Sequence, residues 1–297
     1  MNRKIPKVPV KTWSTPVTGE PSRIIPCTLC HGDHFRPYLV CEGFSYVRCT
    51  GCGLVQMNPQ PLTVEVVRRY QEGHGADYLS YELANESAFL QLQKLALGDA
   101  GFAVLEKDLL VKKRPAILDV GCATGALLET LQNQGWETTG VEICTPAQAY
   151  ARQVRNLDVR ALPLEANHFP AHTFDVVLAS HLIEHLNDPR GFVQEVHRIL
   201  LPGGYFLITT PNIGGFQAWF FKNRWRSAIF DHLFLFSIKT LSQLLRSSGF
   251  EVVKVCTWGG LAAGTAPGSL KRVFDRGAKR FGFGDVMLLK AQVPSRE

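Results

Sequence analysis

Residues 116–142 read AILDVGCATGALLETLQNQGWETTGVE, and few folds can accept that run. Residues 116–120 are a short apolar stretch suited to a strand buried on both faces. Residues 121–125 form a turn of small side chains, and 126–135 have helical spacing up to a stop at Gly135. A second strand follows over 137–143, with Glu142 near its end. Pro115 closes off whatever helix precedes the unit, because proline removes a helical hydrogen bond. Strand, helix and strand in this order predict a parallel sheet with helices on its faces and a ligand site at the carboxyl ends of the strands.

The turn narrows the ligand. Small residues let a ligand approach the backbone, and an acid twenty-one residues after Gly121 can accept hydrogen bonds from ribose hydroxyls. A dinucleotide fingerprint would read G-x-G-x-x-G/A, of which Gly121, Ala123 and Ala126 make a degraded form. Asp119 opposes that reading. A carboxylate just before the turn repels a pyrophosphate and suits a cationic, amine-bearing ligand. An NAD(P)-dependent oxidoreductase is the weaker expectation.

Asp119, the turn and Glu142 at this spacing closely resemble the class I S-adenosylmethionine-dependent methyltransferases. Ala123 departs from that family, which more often has glycine there. The segments HTFDVVLASHLIEHLNDPRGFVQEVHRILLPGGYFLITTPN and GDVMLLKAQ carry the resemblance through residues 114–297. It implies a Rossmann-like α/β domain with a seven-stranded sheet and S-adenosyl-L-methionine as cofactor. Asp119, Gly121, Cys122, Ala123 and Gly125 would then hold the methionine part, Glu142 the ribose, and Ser180 would lie near the cofactor at the end of the fourth strand. The four-cysteine start and CGLVQMNPQP resemble a bacterial branch linked to methylation of small molecules such as quinols and sugars. That branch implies a small-molecule acceptor. The rival readings are an RNA or protein methyltransferase that docks through the ribbon, and a non-catalytic partner that retains the fold.

Residues 180–186 read SHLIEHL, and His181, Glu184 and His185 would share one face of a helix. His-x-x-Glu-His is also the signature of the inverzincin peptidases. Context argues against a peptidase, because the string follows a predicted central strand instead of lying within a long helix, and no third zinc ligand is evident. His181 is the first residue past the sheet's functional edge, which makes it the expected base, with Glu184 and His185 orienting it. A divalent cation on the cluster is the alternative. His232 is expected on the acceptor side or as a structural histidine.

Cys27, Cys30, Cys49 and Cys52 form two Cys-x2-Cys pairs eighteen residues apart, inside the zinc-ribbon window. Four thiolates complete the tetrahedral shell of a structural zinc. The stretch between the pairs predicts a β-hairpin turning at Glu42-Gly43. The organisation expected is a disordered basic tail (1–22), a zinc-ribbon-like module (23–60), a helical connector (61–113) that breaks at Gly98 or Gly101, and the catalytic domain (114–297). The catalytic domain is expected to keep its fold if the ribbon loosens.

The chain of 297 residues is 45% hydrophobic and 20% charged, an ordinary globular balance. It shows no run long and apolar enough for a membrane span, and its start lacks the apolar core of a secretory signal. The net charge of +6 permits nucleic acid without favouring it. Eight cysteines, four of them scattered, indicate a reducing, cytoplasmic setting.

Overall fold

The computed structural model describes residues 21–71, 75–112, 114–260 and 268–295. Most of the expected basic tail, residues 1–20, lies outside them, and Ser22 already belongs to a strand.

The N-terminal module holds β1 (Ser22–Arg23), β2 (Phe35–Cys41), β3 (Phe44–Cys49), β4 (Val55–Met57) and β5 (Gln60–Pro61). The hairpin between β2 and β3 turns at Glu42-Gly43, and Gly43 has φ 79°, the left-handed conformation that glycine adopts without steric cost. The connector comprises α1 (Thr63–Gln71), α2 (Gly75–Asp99) and α3 (Phe102–Lys112). The break falls at Gly101, which is left-handed at φ 77°.

The large domain begins with β6 (Ala116–Val120), α4 (Ala126–Asn133), β7 (Glu137–Val141), α5 (Thr145–Gln153) and β8 (Asp158–Arg160). It continues through β9 (Phe174–Ser180), α6 (Pro189–Ile199), β10 (Leu200–Pro211), α7 (Phe216–Phe221) and β11 (Phe234–Leu235). The last elements are α8 (Ile238–Ser247), β12 (Glu251–Trp258), α9 (Gly268–Phe281) and β13 (Val286–Gln292). Asp188 caps α6 by accepting from the Gly191 N–H, with Pro189 at the first helical position.

Seven strands form one sheet in the order β12-β13-β10-β9-β6-β7-β8. Strands β8, β7, β6, β9 and β10 are mutually parallel, and β13 runs antiparallel between β10 and β12. Central strands β6 and β9 are almost fully buried, as their continuous apolar runs require. This is the Rossmann-like seven-stranded sheet expected from the sequence.

The small module is not a separate body. Its sheet has the order β11-β4-β3-β2, so a strand from the large domain completes it. Phe234 and Leu235 of β11 pair with Gln56 and Val55 of β4. One hydrophobic core runs through both parts, from Leu54, Val55 and Met57 to Phe234, Phe236, Ile183 and Val120.

Candidate functional site

Asp119 ends up at the carboxyl edge of β6 because the strand runs straight into the turn. Gly121 and Gly125 sit at φ 78° and 77°, and a methyl group added at Gly125 would come within 2.5 Å of Leu157. Ala123 takes the same left-handed region at φ 48°, where an L side chain costs roughly 1–2 kcal/mol. That cost is why glycine would suit this place better. Cys122 packs its side chain into a small core with Leu128, Ala151, Leu157 and Val159, and its backbone bonds to Val141 and Gly125.

Glu142 follows β7 and is buried. It accepts from the Ala123 N–H at 3.0 Å and the Cys144 N–H at 2.7 Å, tying the turn to the second strand. Burial, and then the neighbouring Glu142 charge, push Asp119 up to about 7. Burial raises Glu142 too, against the backbone N–H groups that lower it.

Helix α2 supplies residues that sequence reasoning missed. Glu82 is raised to about 7 by burial and by the charges of Glu142 and Glu86. Glu86 accepts from Thr124 Oγ1 at 2.7 Å and from Arg155 at 2.7 Å, and so straps α2 across the turn to the loop that follows α5. Gln93, Ala96 and Leu97 of α2 close a cavity of about 30 Å³ over Asp119, Ser180 and Thr209. Acids on a long helix resemble a solvated face in sequence, so nothing marked Glu82 or Glu86 beforehand. Three buried or half-buried carboxyls converge on one place, a setting that rejects phosphate and favours a cation.

The string at 180–186 is not helical throughout. Only Ile183–His185 make a single 3₁₀ turn, and His181 is left-handed at φ 53°. The predicted cluster forms nonetheless. His181 is half exposed, and its Nδ1 lies 3.3 Å from Oε1 of the buried Glu184. Glu184 Oε2 accepts from Thr210 Oγ1 at 2.9 Å. His185 Nδ1 lies 2.9 Å from the Asp231 carbonyl, and the His185 and His232 rings meet edge to face at 4.7 Å. His232 Nδ1 in turn lies 2.8 Å from the Ser227 carbonyl. Burial raises the Glu184 carboxyl, but the His181 hydrogen bond and the charges of His181, His185 and His232 outweigh it and hold it at about 2. Burial drives His232 down to about 4. Glu184, His185 and His232 each bring a ligand atom within 4.8 Å of the others, close enough to share a cation.

The ribbon cysteines converge as the spacing requires. Their four sulfurs lie within 4.8 Å of one another, with Cys27 to Cys52 and Cys30 to Cys49 at 3.4 Å. Each knuckle closes on itself, Cys27 N–H donating to the Gly32 carbonyl and Cys49 N–H to that of Leu54. Burial raises the Cys52 thiol to about 11; burial also acts on Cys49, where backbone N–H groups prevail and draw it to about 7. Four converging sulfurs, three of them on buried cysteines and the fourth on exposed Cys30, fit a structural zinc by geometry and donor chemistry.

The ribbon also reaches the histidine cluster. Tyr46 Oη lies 2.7 Å from the Ile229 carbonyl and 2.8 Å from that of His232. Met57 N–H donates to Leu233, and Arg190 of α6 donates to the knuckle carbonyls of Thr28 and Leu29.

A family model described as a methyltransferase domain matches residues 94–255. The chain is 32% identical over 134 residues to a ubiquinone biosynthesis O-methyltransferase of Idiomarina loihiensis, covering 43% of this chain and 54% of that protein. It is 33% identical over 138 residues to a protein of Mycolicibacterium smegmatis described as a probable S-adenosylmethionine-dependent methyltransferase, covering 46% of this chain and 52% of the other. The chain thus spans about half the length of the curated relatives it matches. Among solved structures, one described as a putative sarcosine dimethylglycine methyltransferase from Galdieria sulphuraria superposes with a TM-score of 0.51 at 13% identity, over 71% of this chain and 89% of that one. At that identity the likeness speaks for the fold alone.

Proposed function

We propose, for a chain that belongs to the methyltransferase-domain family, that it transfers the methyl group of S-adenosyl-L-methionine to a small-molecule acceptor. The observation that carries this reading is the meeting of Asp119, Glu142 and Glu82 beside a turn of small residues. The ligand supplies an already activated methyl on a sulfonium, whose carbon–sulfur bond breaks with the electron pair staying on sulfur. The protein's task is alignment and exclusion of water. Asp119 and the backbone of residues 121–125 hold the amino-acid end, Glu142 the ribose hydroxyls, and Ser180 lies beside them. Gln93, Ala96 and Leu97 of α2 border this place. The small-molecule acceptor is favoured by the ubiquinone O-methyltransferase relatives.

Calorimetry on the intact chain tests cofactor binding. Losing a hydrogen bond to a charged group costs roughly 1.5–3 kcal/mol, so Glu142→Ala should bind S-adenosylmethionine about ten-fold or more weakly. Affinity should also rise with pH through about 7, because Asp119 is raised to that value and its ionised form is the one a cation needs. Wild-type protein that binds no S-adenosylmethionine, or a mutant with equal affinity, would sink the assignment.

His181 is the proposed base. Its Nδ1–H points to the Glu184 carboxylate, which leaves Nε2 to accept the acceptor's proton. With an oxygen acceptor, His181→Ala should lower kcat about 10²-fold or more and leave S-adenosylmethionine affinity unchanged. Unchanged turnover would reduce the motif to a structural role. Loss of turnover on chelation, restored by magnesium, would show instead that a cation on Glu184, His185 and His232 activates the acceptor.

A further inference from the structure

Among the described residues, three large aromatic side chains stand out in solvent: Trp219 (69% exposed), Phe220 (61%) and Phe281 (74%). All three belong to α7 and the end of α9, and the two helices share an apolar cavity of about 350 Å³ lined by Phe216, Trp219, Phe274 and Phe283. The Phe216 and Phe274 rings meet at 6.2 Å, so the helices form one continuous face.

The charges around this face have one sign. Residues 212–230 contain Lys222, Arg224 and Arg226 and no acid. Lys222, Arg224, Arg276 and Arg280 are exposed, and the Arg280 guanidinium lies 6.0 Å from the Phe281 ring. The nearby acids are engaged: Asp285 is buried against Trp225 and Arg226, Asp275 accepts from the Gly260 N–H, and Asp99 pairs with Lys279.

The sheet topology places the face. Pro211 and Trp258 both pair with Val286, and Thr209 pairs with Ser180. Helices α7 and α9 therefore lie at the same edge of the sheet as Ser180 and His181. A surface of protruding Trp and Phe fringed by Arg and Lys matches the bilayer interface, where aromatic rings enter the headgroup region and cations meet anionic lipid.

We propose that α7 and the C-terminal half of α9 dock the protein on an anionic phospholipid bilayer, with the mouth of the site turned toward the lipid. The proposal rests on the fold and not on methyl transfer, and its test reads binding alone. The full chain is sedimented with vesicles of phosphatidylcholine, or of phosphatidylcholine with one-third phosphatidylglycerol, at low and high salt. Wild type should pellet with the anionic vesicles and be released by salt. Trp219→Ala/Phe220→Ala should weaken partitioning about ten-fold or more. Arg276→Glu/Arg280→Glu should weaken it about thirty-fold or more, since each cation near an anionic surface counts separately. Val154→Ser, exposed at the end of α5, should bind as wild type does. Because the altered side chains are exposed, thermal melts should match wild type and exclude misfolding. Wild type that stays in the supernatant with both vesicle types, or either double variant that binds normally, would overturn the proposal. A dimer in lipid-free sedimentation velocity that disappears in Trp219→Ala/Phe220→Ala would also overturn it, by showing that a second copy covers the face.

Discussion

Glu184→Ala should destabilise the protein by about 3–5 kcal/mol, the usual result of breaking one side of a buried charged cluster. Glu184 is 1% exposed, and its carboxylate serves both Thr210 and His181. Its carbonyl also accepts from the Leu233 N–H, which docks the loop bearing His232. Truncation leaves the Thr210 hydroxyl buried without its acceptor and opens space beneath two imidazoles. For a chain of this size the melting temperature should fall by roughly 5–10 °C. The pH dependence follows from the direction of the shift. Burial raises this carboxyl, but the His181 hydrogen bond and the three imidazoles prevail and set it at about 2 in the fold. A depressed carboxylate stabilises above its unfolded pKa, and that contribution is lost as pH falls toward 2. The gap in melting temperature between wild type and Glu184→Gln should therefore narrow as pH falls below about 4.5. Calorimetric melts of wild type and Glu184→Ala that coincide at pH 7 would remove Glu184 from this role.

Disrupting the ribbon should reach much further than the ribbon. Cys49→Ser, or a strong chelator that strips zinc held by the four thiols, is expected to lower the melting temperature of the whole chain. It should also cut methyl transfer about 10²-fold, the scale on which a misplacement of about 1 Å acts. S-adenosylmethionine affinity should change less than turnover, because Asp119 and Glu142 make no hydrogen bond to the ribbon among the described residues. Structural zinc sites supply folding free energy on the order of 10 kcal/mol, so their loss is not a local matter. Here the route is visible. Strand β4 pairs with β11, Tyr46 holds the carbonyls of Ile229 and His232, and one core joins both parts. The sequence alone led to the expectation that the catalytic domain keeps its fold without the ribbon; the shared core is the reason to expect the opposite here. Tyr46→Phe gives a milder check that leaves the four thiols untouched: kcat should fall while zinc content stays as in wild type. A Cys49→Ser protein with normal melting temperature and turnover would separate the ribbon from the site.

Local chemistry made much of this legible in advance. Strand β6 begins and ends where the apolar run 116–120 does, and β9 ends at Ser180 as the spacing required. Both strands are buried on two faces, so their composition has a single reading. The cysteine pairs, the Glu42-Gly43 turn and the Asp188 cap were equally plain, because each depends on residues within a few positions of one another. The helical face expected at 181–185 failed, because His181 turns left-handed to reach Glu184 across a 3₁₀ turn.

The amino-acid sequence by itself determined the parallel βαβ unit, the place of Asp119 and Glu142 in it, the four thiols of the ribbon and the candidate base His181. Periodicity, turn chemistry and ligand spacing are short-range properties, and a chain carries them wherever it goes. Only the tertiary structure decided that Glu82 of α2 joins the two expected acids, that His232 meets His185 from forty-seven positions away, and that β11 completes the ribbon's sheet. Those contacts join segments that no local pattern connects. What selects them is the burial of one continuous core, in which each buried polar group must find its partner from whichever segment packing brings beside it.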